Sequence, residues 1–128
     1  MIQATLFKDE SGYLKGFSAR GHAGYAKRNH EDIVCAAVSV LGATIVNSLE
    51  TVCGISTDDT VVDNDNGMLS FILPGDLDLV QIHETGILMR ALLQGLQDIE
   101  EQYPRNLKVT IRSANDLVSL TNGGRRND

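Results

Sequence analysis

Apolar and polar residues alternate along the first twenty positions of the chain, and this alternation predicts two β-strands. The segment IQATLF predicts the first strand, DESG has the composition of a turn, and YLKGFSAR predicts the hairpin partner. Gly21 and Gly24 then interrupt the pattern and predict a loop that can flex or bring backbone close to a ligand. The chain is therefore expected to begin with a β-hairpin and a glycine-containing loop.

The residues after this loop have the spacing of a helix. Asp32 is a suitable N-cap, and apolar residues then recur at intervals of three and four. The predicted apolar positions of this helix are Ile33, Ala36, Ala37, Val40, Leu41, Ile45, Leu49 and Val52, with Thr44 as the polar member. Because apolar residues occur on more than one face, the helix is expected to be well buried.

A second hairpin is predicted by the segment ISTDDTVVDNDNGMLSFILPG, with Asn66 and Gly67 as its tight turn. The acidic run before Gly67 could suggest a calcium-binding EF-hand loop. Counting from Gly67 as the glycine of such a loop places Val62 at the first ligand position and Leu73 at the last. Neither side chain can bind calcium, so the pattern favours the turn.

A long second helix follows the second hairpin. It is expected to be capped by Asp76 or Asp78 and to end before Pro104. Its predicted apolar face consists of Leu79, Ile82, Leu88, Leu92, Leu96 and Ile99. The segment LKVTIR then alternates as a last strand.

The predicted elements indicate one small α+β domain. Their order is ββαββαβ, which favours a five-stranded antiparallel or mixed sheet with two packed helices. The 128 residues, 42% of them hydrophobic, suffice for a single core. We expect the domain to span residues 1–112 and the remaining residues 113–128 to form a C-terminal tail that is mobile at its end.

The size of the chain also favours a homodimer. Five strands and two apolar helices in so short a chain leave few residues to cover the apolar surface of the helices, and a second copy could cover it.

The charge is acidic, and this excludes some partners. The formal net charge is −6, whereas nucleic-acid-binding proteins present a basic face. No Lys or Arg occurs between Arg28 and Arg90, although several acids do. This acidity is either a solvated surface or a surface that attracts a basic partner.

No apolar run approaches the roughly 18 residues of a membrane span, and the N-terminus lacks a signal-peptide pattern, so a cytoplasmic location is expected.

The candidate chemistry lies in the segment GHAGYAKRNHEDIVCAAVS, from Gly21 to Ser39. Cys35 is placed in the first turn after the predicted cap, where free N–H groups and the helix dipole favour a thiolate. His22 on the glycine loop could take the thiol proton and form a thiolate–imidazolium pair. Ser39 lies one helical turn beyond Cys35 and could donate a hydrogen bond to the sulfur or to a substrate.

Simpler explanations exist for the histidines and cysteines, and His22 taken alone is explained as an ordinary loop residue. A cysteine at the start of an apolar helix is more often a small buried side chain, and Cys53 fits that description fully. His30 is explained as an exposed residue before the cap, and His83 by packing or surface polarity on the second helix. A metal site of His22, His30 and Cys35 stays open, although none of the usual ligand spacings is present.

A disulfide is not expected between the two cysteines. If one helix carries Cys35 and Cys53, they are separated by about 27 Å, which is beyond the reach of a disulfide.

The motifs GHAG and DIVCAAVS together resemble the signature of the ribosomal-processing cysteine protease family, Prp or YsxB-like. The resemblance continues in LLQGLQDIEEQYP before the last predicted strand and covers about residues 1–112. It implies a cofactor-independent bacterial homodimer that trims an N-terminal extension from the large-subunit ribosomal protein numbered twenty-seven. Family substrates are cut after an apolar stretch that ends in aromatic residues.

The resemblance also implies roles for individual residues. His22 and Cys35 match the catalytic pair, and Gly21, Asp32 and Ser39 match the motif's glycine, aspartate and serine. Asp32 would then cap the helix or orient His22, while Gly21 and Gly24 would let the loop move as a peptide enters. A non-catalytic, ribosome-associated binding or assembly module is the alternative function. A redox protein ranks last because the chain has no C-x-x-C pair.

Overall fold

The computed structural model describes residues 1–21, 30–57, 61–63 and 68–117, with only the backbone described at 30–32, 61–63 and 68. The strands and helices are β1 (Ile2–Lys8), β2 (Leu14–Arg20), α1 (His30–Thr51), β3 (Val61–Asp63), β4 (Met68–Ile72), α2 (Leu79–Gln102) and β5 (Leu107–Ser113).

The strands form one mixed sheet in the order β3-β4-β2-β1-β5. Four strands of at least five residues make up most of it, and the three-residue β3 pairs with β4 at one edge. Neighbouring strands are antiparallel except for β1 and β5, which are parallel. The sequence left antiparallel and mixed sheets open, and this parallel pair makes the sheet mixed. The predicted small α+β domain with packed helices is confirmed.

The turn between β1 and β2 is held by one carboxylate. Asp9 Oδ1 accepts hydrogen bonds from Ser11 N (2.9 Å), Ser11 Oγ (2.7 Å) and Tyr13 N (3.0 Å). These bonds, that from the Ser11 hydroxyl above all, lower the pKa of Asp9. The DESG segment is thus a rigid turn rather than a loose connection.

The helix α1 packs on the sheet through a face that matches the predicted apolar positions only in part, at Ile45 and Leu49. Its buried apolar residues are Val34, Val38, Ile45 and Leu49. Of the predicted core positions, Ile33, Val40 and Val52 are 51%, 65% and 61% exposed, so the predicted stripe is wrong there. The physical reason is that α1 is apolar on two faces, and helical spacing alone does not decide which of them meets the sheet.

The absence of charge from Ile33 to Leu49 also gives α1 the length and composition of a membrane-spanning helix, which the sequence analysis did not anticipate. The window Ile33–Thr51 has a mean hydropathy of 1.8, although only 28% of it is buried in the domain. The sheet therefore accounts for one apolar face of α1 and leaves a second one uncovered.

The start of α2 was predicted correctly, but its first turn does not contribute to the core. Asp78 caps the helix, accepting a hydrogen bond from Gln81 N at 2.8 Å while Gln81 Oε1 accepts one from Asp78 N at 3.1 Å. The buried residues of the helix are Thr85, Met89, Leu92 and Leu96. The predicted core residues Leu79 and Ile82 are instead 83% and 40% exposed.

The first residues after β5 pack against the sheet. Ala114 N donates to Lys8 O at 2.7 Å, and Leu117 is buried beside Gly16, where an added Cβ would lie 3.1 Å from a Leu117 methyl carbon. Because Gly16 alternates with the core residue Phe17, Leu117 covers the sheet face opposite the helices. The rest of the predicted tail and the predicted Asn66–Gly67 turn lie outside the described residues.

Candidate active site

Cys35 is the sixth residue of α1 and lies at the margin of the core. Its neighbour Val34 is fully buried, whereas Cys35 is half-buried, has a free thiol and packs against the core from its edge. A thiol in this position is fixed by packing and still accessible to a substrate. These are the properties that a nucleophilic cysteine requires.

The helix begins earlier than predicted, and this changes the environment of Cys35. Because α1 starts at His30, Asp32 is its third residue and not its N-cap. Cys35 therefore lies in the second turn of α1, where the helix dipole acts less strongly than in the first turn.

Gly21 fixes the start of the segment that carries the predicted base. Its φ is +100°, and a Cβ atom added there would lie 2.5 Å from the carbonyl oxygen of Met1. Both the backbone conformation and the close approach to the N-terminal strand require glycine. The position of Gly21 is thus set by the sheet rather than left free to flex.

Residues 22–29 join this fixed glycine to the start of α1 and lie outside the described residues. They include the predicted base His22 and the predicted loop glycine Gly24. The structure therefore places Cys35, Ser39 and the backbone of Gly21 and Asp32, and it does not test whether His22 reaches the thiol.

The exposed Ser39 follows Cys35 by one helical turn, so both residues lie along the same side of α1. Next to them is an exposed, uncharged surface made of Ile33, Ala36, Val40 and Ala43, of which all but Ala43 were among the predicted apolar positions. We call this surface the α1 apolar face. Placing the α1 residues on a helical wheel around the buried Val34 and Val38 would have separated this face from the core.

Cys53 differs from Cys35 in every respect that matters for reactivity. It lies two residues beyond the end of α1 and is only 6% exposed. Burial raises its pKa, and the negative charge and the hydrogen bond of the nearby Glu84 carboxylate raise it further. Cys53 is therefore held as a thiol, as its predicted structural role requires.

Among the side chains that the structure describes, no three His, Cys, Asp or Glu residues are close enough together to hold a metal ion. The alternative metal site of His22, His30 and Cys35 includes two side chains that are not described.

We expect the two thiols to react at different rates. In the native protein, iodoacetamide should label Cys35 at least about tenfold faster than Cys53, because Cys53 is buried and its pKa is raised. Peptide mass spectrometry after timed quenching measures both rates. The Cys35→Ser protein is the control and should show only the slow reaction, and equal rates in the folded protein would contradict the assignment.

Comparisons with known proteins agree on one family. The model of the family described as cysteine protease Prp matches residues 1–108. The ribosomal processing cysteine protease Prp of Bacillus subtilis is 30% identical over 112 residues, which cover 86% of this chain and 96% of that protein. The protein of the same name from Staphylococcus aureus is 26% identical over 113 residues, 88% of this chain and all of that protein.

Solved structures have the same fold. SMU.848 from Streptococcus mutans is 30% identical, with a TM-score of 0.75 over 88% of this chain and 95% of that one. The S. aureus protease Prp with a covalently linked product peptide is 25% identical, with a TM-score of 0.72 over 87% of this chain and 99% of that one. Both structures therefore match nearly all of the domain described above.

Proposed function

The chain belongs to the cysteine protease Prp family and is a cysteine protease, and from this premise we propose that Cys35 is its nucleophile and His22 its general base. The observation that carries the proposal is the contrast between the two thiols. Cys35 is accessible at the edge of the core, whereas Cys53 is buried and has a raised pKa. Only the Cys35 thiol can contact a peptide substrate while the domain stays folded.

The proposed reaction proceeds by acyl transfer. His22 takes the proton of Cys35, and the sulfur attacks the carbonyl carbon of the scissile peptide bond. Backbone N–H groups near the start of α1 stabilise the resulting oxyanion. His22 then gives its proton to the leaving nitrogen, so that the C–N bond breaks and a thioester remains. Water hydrolyses the thioester and regenerates the thiol.

The other motif residues support this pair. Gly21 holds the backbone next to His22 against Met1. For Gly24, which lies outside the described residues, the proposed role is to let the substrate loop move as the peptide enters. Asp32 orients His22 or stabilises the first turn of α1, and Ser39 bonds to the substrate beside the thiol.

The proposed substrate is a basic large-subunit ribosomal protein, the one numbered twenty-seven, from which the enzyme removes an N-terminal extension in the cytoplasm. The name of the B. subtilis relative refers to ribosomal processing, and the S. aureus relative was solved with a linked product peptide. The net charge of −6 suits a basic protein substrate and does not suit direct binding to nucleic acid or a membrane surface.

Incubation with the extended ribosomal precursor, followed by mass spectrometry of the products, tests this function. Two fragments that add up to the precursor plus one water are expected. A non-catalytic binding module, the alternative function, would bind the precursor and leave its mass unchanged.

We further propose a homodimer whose interface is the α1 apolar face. Val40 is 65% exposed at its centre, and an exposed apolar surface of this kind is typical of protein contacts. In the Val40→Lys variant, a charge would have to be buried in the contact, so dimerisation should weaken by about tenfold or more. Light scattering at micromolar concentration measures the change. Gln97→Lys, on the exposed side of α2, is the matched control and should remain dimeric.

A further inference from the structure

A cleft of about 270 Å³ opens between the β1–β2 turn and the segment that connects β4 to α2. The connecting segment contributes the apolar side chains of Pro74 and Leu77, and α2 contributes Ile82. Asp9 and Lys15 lie on the side of the hairpin. Among the described residues, neither Cys35 nor the α1 apolar face takes part in this cleft.

The walls of the cleft are fixed before any ligand arrives. On one side, the Asp9 carboxylate holds the hairpin turn, and the Tyr13 hydroxyl is hydrogen-bonded at 2.7 Å to the hydroxyl of the fully buried Thr85. On the other side, Leu77 and Ile82 occupy the two positions that form a hydrophobic staple around the Asp78 cap. A preformed cleft loses little conformational entropy when it binds.

The surroundings of the cleft are acidic and apolar. Asp9 and Lys15 line the cleft, and Asp76 and Asp78 are exposed along the connecting segment that forms its other side, so these residues contribute three carboxylates and one ammonium group. Leu79, at the start of α2, is 83% exposed, the highest value among the large apolar side chains that the structure describes. This composition suits a ligand that is both cationic and apolar.

We propose that the cleft binds a basic, partly apolar segment in the mature part of the protein substrate, outside the residues that are cut. The proposal rests on the function proposed above, since it requires a basic protein substrate. Charge complementarity selects this occupant. A second copy of the chain carries a net charge of −6, and nucleic acids and anionic membranes are repelled by the same carboxylates.

The position of the cleft determines how far from the cut this segment must lie. Gln81 Nε2 donates to Cys53 O at 3.1 Å, so the start of α2 adjoins the C-terminal end of α1, while Cys35 is near the other end. At about 1.5 Å per residue, the helix extends roughly 24 Å from Cys35 to its end at Thr51, and Cys53 lies two residues beyond. An extended peptide needs about eight residues to cover that distance, so short peptides around the cut cannot reach the cleft.

Two substitutions test the proposal without touching the catalytic residues. Asp76→Lys reverses a charge beside the cleft, and Leu79→Ser removes the exposed apolar side chain. For each variant, KM for the full-length precursor should rise about three- to tenfold with kcat unchanged, while cleavage of a peptide of about six residues should not change. Added salt should slow the unmodified enzyme on the precursor and should slow Asp76→Lys less.

Matched controls separate the cleft from general effects. Glu101→Lys makes the same charge change at the exposed far end of α2, and Leu79→Met keeps the apolar contact, so both should behave like the unmodified protein. The proposal is overturned if the variants affect the peptide and the precursor equally, or if they affect neither. It is also overturned if light scattering shows that they change the oligomeric state.

Binding to the inactive Cys35→Ser protein distinguishes a failure of the cleft from a failure of the proposed function. Fluorescence anisotropy of the labelled precursor should show weaker binding when Asp76→Lys is added to Cys35→Ser. If the unmodified protein cleaves the precursor but this affinity does not change, the cleft proposal alone is wrong. If the protein neither cleaves nor binds the precursor, both proposals are wrong.

Discussion

Replacement of Cys35 by serine is expected to lower kcat/KM for the ribosomal precursor by about a thousandfold or more. The two side chains have nearly the same volume, but the hydroxyl is a far weaker acid and His22 cannot ionise it to a comparable extent. Because Cys35 is only half-buried, the fold and the affinity for precursor should persist. Cleavage assays together with thermal unfolding measure the two effects separately, and His22→Ala should have the same pattern.

Cys53→Ser is the matched control for this prediction. It places a hydroxyl in the core beside Glu84, which should cost about 1–2 kcal/mol in the free energy of unfolding and leave turnover intact. If folded Cys35→Ser cleaved the precursor at the normal rate, Cys35 would not be the nucleophile. If Cys53→Ser were folded and inactive, the roles assigned to the two thiols would be reversed.

Gly21→Ala is expected to have the second largest effect, although residue 21 has no side chain to take part in the reaction. The added methyl group would lie 2.5 Å from the Met1 carbonyl oxygen, at a φ of +100° that alanine rarely adopts. The free energy of unfolding should fall by about 2–4 kcal/mol. Activity measured below the unfolding temperature should also fall, because the backbone next to His22 must move to relieve the strain.

Gly12→Ala isolates the contribution of the close contact. Gly12 has a φ of +93°, similar to that of Gly21, but an added Cβ atom meets nothing within 4 Å. This control should lose only about 1 kcal/mol and retain full activity. If both variants lost the same stability and remained active, the contact with Met1 would not position the loop.

The sequence predicted local structure well where a short pattern of neighbouring residues determines it, as in strand alternation or a helix cap. The alternation in IQATLF and LKVTIR and the cap at Asp78 each correspond to an observed strand or helix start. The buried face of α1 could not be predicted in the same way, because Val34 and Val40 lie on two faces of similar polarity. Which face is buried depends on where α1 crosses the sheet, and that is a tertiary property.

Prediction of the site was limited in a different way. The distinction between Cys35 and Cys53 was predictable, since only one of them lies near the start of a helix. The placement of Asp32 as an N-cap was wrong because the apolar period begins at Ile33, whereas the acidic residues before it already belong to the helix. The partnership of His22 with Cys35 rests on the motif resemblance and stays a prediction for the experiments above.

The parallel pairing of β1 with β5 has a consequence for how the chain folds. Thr5 and Thr110 are hydrogen-bonded across this pair although 105 positions separate them in the sequence. Closing so long a loop costs entropy before any contact compensates for it, and contacts of high sequence separation slow folding. During synthesis, β1 has only β2 as a neighbour until β5 has left the ribosome. The domain can therefore complete its sheet only after β5, at residues 107–113, has been made.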